Sequence, residues 1–291
     1  MSSFRERNDP KGPKSKNRAQ NFNRHGKGPA APVRTDAPKQ PKPQSFPKTK
    51  VNDDGWLWGT HAVEAALKNL SRPGPLKLFL SEDRAESIHP KLLKRSELRV
   101  TTLPTQDIGR LLPQGAVHNG MALHGPVLEG DSLDALMAED GVILMLDQVT
   151  DPQNIGAIFR SSAAFGVRGL VMQDRHSPPL QGVLAKTAAG AVDRVPFARV
   201  TNLSRALETL SDNGWVSVGL AGEAEFNLHE LLIQQAPRKL VLVLGSEGEG
   251  LRRLVAEHCD HLAKIPMPGG FESLNVSHAA SISLYEACAR K

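Results

Sequence analysis

Cysteine is scarce in this chain of 291 residues, which has only Cys259 and Cys288. The pair forms no metal-ligand pattern, so no metal is expected, and both are read as reduced thiols at helix positions. Long apolar runs are missing too. No stretch approaches the ~20 residues that cross a bilayer, and no signal-peptide core is present, so a membrane protein is excluded and a soluble, cytoplasmic chain is expected. The G-x-S-x-G elbow of serine hydrolases is absent, which disfavours a hydrolase built from Ser273, His278 and an aspartate. The loop Gly245-Ser-Glu-Gly-Glu-Gly250 lacks both the Lys-Ser/Thr ending and the G-x-G-x-x-G spacing of phosphate cradles. Its Glu247 and Glu249 would repel a phosphate but tolerate a cationic ligand, so a nucleotide hydrolase or dehydrogenase is disfavoured.

What charge there is lies unevenly. Residues 1–50 hold thirteen Lys/Arg against three acidic residues, a net of +10, whereas the whole chain is +5, which leaves −5 for residues 51–291. The same fifty residues carry eight prolines and few apolar side chains beyond Phe4, Phe22, Val33 and Phe46. They cannot bury enough surface to offset their conformational entropy and are expected to be a disordered basic tail. Such a tail can contact RNA phosphates, or serve only as a solubilising extension. A transit peptide fits poorly, because the Pro/Lys richness spoils an amphipathic helix.

Ordered sequence begins near Trp56. Helices are predicted at Gly59–Leu67, Pro90–Arg95 and Gln106–Leu112, and strands at Leu76–Leu80, Leu98–Leu103 and Met121–Val127, which together make a small α/β domain over residues 55–128. His61 and His118 could touch RNA, although isolated histidines more often serve the fold. A linker with one short helix follows, from Leu128 to about Asp140. Beyond it strands and helices alternate. Strands are predicted at Val142–Leu146, Gly169–Met172, Val216–Leu220, Leu240–Leu244 and Leu262–Ile265. Helices are predicted at Ile155–Phe165, Val183–Ala189, Leu203–Asp212, Leu251–His258 and Ala279–Ala289. This alternation predicts a second α/β domain over residues 141–291, with a parallel sheet covered on both faces.

The densest concentration of functional residue types is Ile265-Pro-Met-Pro-Gly-Gly-Phe-Glu-Ser-Leu-Asn-Val-Ser-His278. Pro266 and Pro268 stiffen the chain, Gly269 and Gly270 permit tight turning, and Ser273, Asn275 and Ser277 offer hydrogen bonds next to a helix start. An ordinary strand-to-helix turn capped by Ser277 would use the same residues. Two further segments distinguish these readings: Asn154-Ile-Gly-Ala-Ile-Phe-Arg160 after the first large-domain strand, and Leu244-Gly-Ser-Glu-Gly-Glu-Gly-Leu251 after Leu240–Leu244. In this order, and spread over about half the chain, the three segments resemble the three motifs of the SpoU (TrmH) family of the SPOUT superfamily.

That resemblance implies a SPOUT-type sheet with a C-terminal trefoil knot and S-adenosyl-L-methionine as cofactor. It implies an RNA ribose 2'-O-methyltransferase working as a homodimer, with Arg160 of one subunit reaching the cofactor site of the other. The positions matching cofactor-binding residues are Gly245, Ile265 and Leu274, with Met267 and Ala221–Gly222 completing the wall. The matching catalytic positions are Asn154, Arg160, Glu247 and Asn275, with Ser273 a weaker candidate. Because free arginine has a pKa above about 12, Arg160 is read as holding substrate phosphate and stabilising a developing alkoxide, not as the base. Its neighbours on the helix stripe, Gly156, Ala163 and Ala164, are small enough for another surface to approach. Asn154 and Asn275 are read as orienting ribose and loop, and Glu247 as an anchor for Arg160 or a backbone amide that could also handle a proton. His278 stands where many members of the resembled family have a small apolar residue. The Gly59-Thr-His-Ala-Val-Glu-Ala-Ala-Leu67 and Val117-His-Asn-Gly-Met121 segments resemble the ribosomal-protein-L30e-like module of SpoU enzymes, which tips the substrate toward a guanosine of 23S rRNA. A tRNA substrate, or a non-catalytic RNA-binding protein on the same scaffold, stays open.

Overall fold

The computed structural model describes residues 55–288. The basic tail expected at residues 1–50 and the predicted helix end at Ala289 lie outside the described residues. A four-stranded sheet comes first. It is built from β1 (Trp56–Trp58), α1 (Thr60–Lys68), β2 (Leu76–Leu80), α2 (Glu82–Ser87), a 3₁₀ turn at Pro90–Leu93, β3 (Leu98–Thr102), α3 (Thr105–Arg110) and β4 (Met121–His124). Its strand order is β1-β4-β2-β3, antiparallel except for the β2–β3 pair. Val63, Ala66 and Leu67 of α1 pack on Leu76, Leu78 and Leu80, the inward residues of an alternating strand. Two elements here were not predicted, β1 and α2, the latter being short with no buried residue.

A connector carrying α4 (Leu133–Met137) leads to a larger sheet. The elements that follow are β5 (Gly141–Leu146), α5 (Pro152–Phe165), β6 (Gly169–Gln173), α6 (Gly182–Thr187) and a 3₁₀ turn at Ala191–Asp193. Next come β7 (Phe197–Val200), α7 (Leu203–Asp212), β8 (Val216–Leu220), β9 (Phe226–Asn227) and α8 (Leu228–Gln235). The chain then forms β10 (Lys239–Leu244), α9 (Arg253–Glu257), β11 (His261–Lys264) and α10 (Val276–Cys288). The seven strands lie in the order β7-β6-β5-β10-β8-β11-β9, and every pair is parallel.

The period-two alternation of side chains explains why β5 and β10 are apolar throughout. Val142, Leu144, Leu146, Leu240, Leu242 and Leu244 face one layer, with α5, α6, α8 and α10. Ile143, Met145, Val241 and Val243 face the other, with α4, α7 and α9. Both faces of the sheet are therefore buried. β7, β9 and α8 were not predicted from the sequence.

The two sheets meet at a buried ion pair. Arg72, 4% exposed, donates from Nε to Asp193 Oδ1 at 2.8 Å and from Nη2 to Oδ2 at 3.2 Å. Asn69 Nδ2 adds a bond to the same carboxylate at 3.1 Å, and Arg72 Nη1 reaches the Pro126 carbonyl at 3.1 Å. No helix of the described residues is long and apolar enough to cross a membrane.

Candidate active site

Because β5, β10, β8 and β11 are adjacent and parallel, their C-terminal ends open on one edge of the sheet, where ligands of open α/β sheets bind. The three segments singled out in the sequence all leave from that edge. After β10, the Gly245–Gly250 loop folds back on itself, with paired Ser246 and Gly250 backbone bonds of 3.1 Å each. A Cβ at Gly245 would overlap the carbonyl of Gly250 and the amide of Leu251, so this position admits only glycine without moving the loop. The loop exit is pinned by Asp147, fully buried at the end of β5, which accepts from Arg252 N at 2.9 Å and Arg252 Nε at 2.7 Å. Neither Asp147 nor Arg252 was singled out in the sequence. An acid closing an apolar strand was the available signal.

Three side chains distant in sequence converge above this loop. Asn154 Nδ2 donates to Glu247 Oε1 at 3.0 Å, Asn275 Nδ2 donates to the same oxygen at 2.6 Å, and Asn275 Nδ2 also lies 2.9 Å from Asn154 Oδ1. The Val276 amide approaches Glu247 Oε1 at 3.4 Å. The carboxylate is thus held by two amides and a helix N-terminus, where a negative charge is favoured. Glu247 anchors a backbone amide as expected, but among the described residues it makes no hydrogen bond or ion pair with Arg160. Helix α10 is capped by Asn275 rather than Ser277: Asn275 Oδ1 accepts from Ser277 N at 2.9 Å and from Ser277 Oγ at 2.6 Å. The side-chain oxygen caps the helix while Nδ2 donates to both Glu247 and Asn154, two donor bonds where a serine hydroxyl has one proton. Helix α5 starts in the same way, with Asp151 Oδ1 accepting from Gln153 N at 2.9 Å and Pro152 in the first turn.

Arg160 lies two turns along α5, exposed, with no hydrogen bond or ion pair among the described residues. Its small neighbours play different parts. Gly156 is buried against α6 of the same chain, where a Cβ would stand 2.6 Å from the Leu184 carbonyl oxygen. Ala163 packs against the core, and Ala164 is exposed.

The expected cofactor positions share the sheet edge. Ile265 follows β11 and packs against the core, and Ala221 and Gly222 follow β8, tied by Ala221 N to the Ala263 carbonyl at 3.0 Å. The loop beyond Ile265 turns at Met267–Gly270, closed by a 3.3 Å backbone bond, and brings Glu272 over Gly222 and Leu274 to the surface at 38% exposure. Ser273 and His278 are exposed and make no side-chain hydrogen bond among the described residues.

Outside this edge, His118 is structural in its geometry: Nδ1 accepts from the Gly120 amide at 3.3 Å in a turn. Burial, with nearby Lys186, lowers its pKa and favours the neutral acceptor. Cys259 lies just beyond α9, not in it, and burial, with Asp260 and Asp147 nearby, pushes its thiol up to about 12. It is a packed, unreactive group.

Residues 141–285 match the model of the SpoU rRNA Methylase family. A protein of Xanthomonas campestris pv. campestris named 23S rRNA (guanosine-2'-O-)-methyltransferase RlmB is 49% identical over 243 residues, covering 80% of this chain and 95% of that protein. The chain belongs to the SpoU methylase family. A Vibrio parahaemolyticus protein of the same name is 36% identical over 241 residues, covering 80% of this chain and 95% of its own length. Among solved structures, the SpoU methyltransferase AviRb of Streptomyces viridochromogenes in complex with AdoMet shares the fold, with a TM-score of 0.66 at 22% identity, over 81% of this chain and 89% of that one. In this SpoU chain Asn154, Glu247 and Asn275 lie within the residues matched to the family and bond to one another at one sheet edge.

Proposed function

We propose that this chain transfers a methyl group from S-adenosyl-L-methionine to the 2'-hydroxyl of a guanosine in 23S rRNA. The observation that carries the reading is the pairing of RlmB-named relatives covering 80% of the chain with an intact Asn154–Glu247–Asn275 triangle. The sheet edge fits the cofactor chemically. Main-chain groups beside Gly245, Ile265 and Leu274 would hold its adenosine part, and Met267 with Ala221–Gly222 would close the wall. The carboxylates of Glu247 and Glu249 suit a cation, where a phosphate would be repelled. When bound, S-adenosyl-L-methionine supplies a methyl on a positively charged sulfur.

The residues of the chain then have separable tasks. Arg160, exposed and unpaired among the described residues, holds a substrate phosphate and stabilises charge growing on the ribose oxygen. Asn154 and Asn275 use their amides on Glu247 and so act as positioning residues for the loop. Glu247 is the group nearest to proton handling, its second oxygen accepting no hydrogen bond among the described residues.

The finer architecture belongs to the same proposal. Residues 55–128 form an L30e-like RNA-binding module, and residues 141–291 a SPOUT catalytic domain knotted where the loops after β10 and β11 cross. The working form is a cytoplasmic homodimer. Exposed Ile282 and Tyr285 on α10, beside Phe165 at the end of α5, support a dimer face next to Arg160.

The test is transfer of labelled methyl from S-adenosyl-L-methionine to a 23S rRNA transcript by the full chain, followed by alkaline hydrolysis. Label in an alkali-resistant dinucleotide containing guanosine is expected, because a methylated 2'-oxygen cannot attack its phosphate. Label in a base, or none at all, would contradict the reading.

A further inference from the structure

Asp147, at the end of β5, is fully buried, and a carboxylate so placed is unfavourable unless it is paired. Both of its oxygens are used on one residue. Oδ2 accepts from Arg252 N at 2.9 Å and Oδ1 from Arg252 Nε at 2.7 Å. Its own amide donates to the Leu244 carbonyl at 2.8 Å. Leu244 leads into the loop that carries Glu247, and Arg252 leads out of it. Asp147 therefore grips both ends of that loop, while the paired Ser246 and Gly250 bonds of 3.1 Å close it between them. Further along the same segment, Asn154 holds Glu247 itself at 3.0 Å. The stretch from Asp147 to Asn154 thus fastens the loop at its base and at its tip.

We propose that Asp147 is a positioning residue for methyl transfer, acting through Arg252. Being fully buried, it has no surface to offer cofactor or RNA. What it sets is the path of the backbone from Leu244 to Arg252. That path places the main-chain groups beside Gly245 that would hold the cofactor, and it places the Glu247 carboxylate. Because Arg252 is held by its side chain as well as by its amide, the loop exit is fixed in direction and not only in position. Apolar side chains of similar volume can replace a buried ion pair with little loss of stability, so packing alone gives no reason for a charge here. A fixed loop does, since a displacement of about 1 Å at a reacting group can cost about a hundredfold in rate. The inference rests on the methyl-transfer reading for its ligand but not for the grip on the loop.

Measurements on the full chain separate these dependencies. Asp147→Asn keeps the shape of the side chain but brings an amide donor against the Arg252 donors, which frees the loop exit. Amide hydrogen exchange at Ser246 and Gly250 should then quicken by about tenfold more than at Leu144 and Leu242 in the centre of the sheet. Calorimetric affinity for S-adenosyl-L-methionine should fall by about tenfold, and single-turnover transfer to a 23S rRNA transcript by about tenfold to a hundredfold, with RNA affinity unchanged. Arg252→Met should show most of the same losses, and Arg252→Lys, which keeps a cation beside Asp147, fewer. Should Asp147→Asn fail to fold, Arg252→Met carries the same readings, because that side chain is 40% exposed. Asp193→Ala, which breaks the buried pair where the two sheets meet, controls for stability and should leave cofactor affinity unchanged. Loop exchange or cofactor affinity in the Asp147 and Arg252 variants equal to that of the unmodified chain overturns the inference. So does an equal loss of affinity in Asp193→Ala, which would assign the effect to stability alone. If the unmodified chain binds no S-adenosyl-L-methionine and methylates no 23S rRNA while loop exchange still responds to these variants, the proposed function fails and the grip on the loop stands.

Discussion

At the residue scale, the candidate site is a case of side chains consumed by one another. Asn154 and Asn275 were expected to orient ribose and loop, and each spends its amide on Glu247 or on the other, within 3.0 Å. Arg160 is the contrasting residue, exposed and without a partner among the described residues. This contrast predicts different losses. Arg160→Ala should lower single-turnover methyl transfer by about a hundredfold or more, as for removal of a transition-state donor. It should leave calorimetric affinity for S-adenosyl-L-methionine unchanged and the melting temperature within about a degree, since an exposed side chain carries little stability. Full activity in the variant would remove Arg160 from the chemistry. All these residues were named from the sequence because the motifs carry them. The triangle itself was not legible, because the partners stand 93 and 121 residues from Asn154 and only the fold brings them together.

At the scale of elements, the plainest strand signal came from those buried on both faces. β5 and β10 were predicted to within a residue because their apolar side chains alternate between two cores, and β8 and β11, which place Val218 and Ala263 in one of them, were predicted to within a residue as well. β9 and α8, both missed, lack that signal. β9 has two residues, and α8 buries only Leu228 and Leu231. The Gly245 loop lies between these cases: the resemblance marked Gly245 as a cofactor position, but the folding back against Gly250 is a tertiary fact. Gly245→Ala would force the Gly250 carbonyl and Leu251 amide away. It is expected to weaken S-adenosyl-L-methionine binding by about tenfold or more while costing about 1–3 kcal/mol in urea unfolding. Unaltered affinity in the folded variant would show that the loop does not frame the cofactor.

At the scale of the whole molecule, the small sheet is joined to the large one by charge as well as by apolar contact. Arg72 and Asp193 have side-chain exposures of 3% and 2%, and the pair is supported by Asn69 and the Pro126 carbonyl. Nothing in the sequence marked them, since an arginine and an aspartate 121 residues apart form no pattern. Asp193→Ala leaves a buried guanidinium unpaired and should cost about 3–5 kcal/mol in denaturant unfolding, whereas Arg72→Met with Asp193→Leu should cost much less. Equal losses in both would assign the joint to packing alone.

The central claim, that a SpoU chain with this edge methylates a guanosine ribose in 23S rRNA, is tested most directly in cells. Sites of 2'-O-methylation are to be mapped across total RNA with the chain present, deleted, and replaced by Arg160→Ala. One 23S rRNA guanosine should lose its methyl on deletion, regain it with the unmodified chain and remain bare with Arg160→Ala. An unchanged 23S rRNA map, or a loss confined to tRNA, would contradict the account.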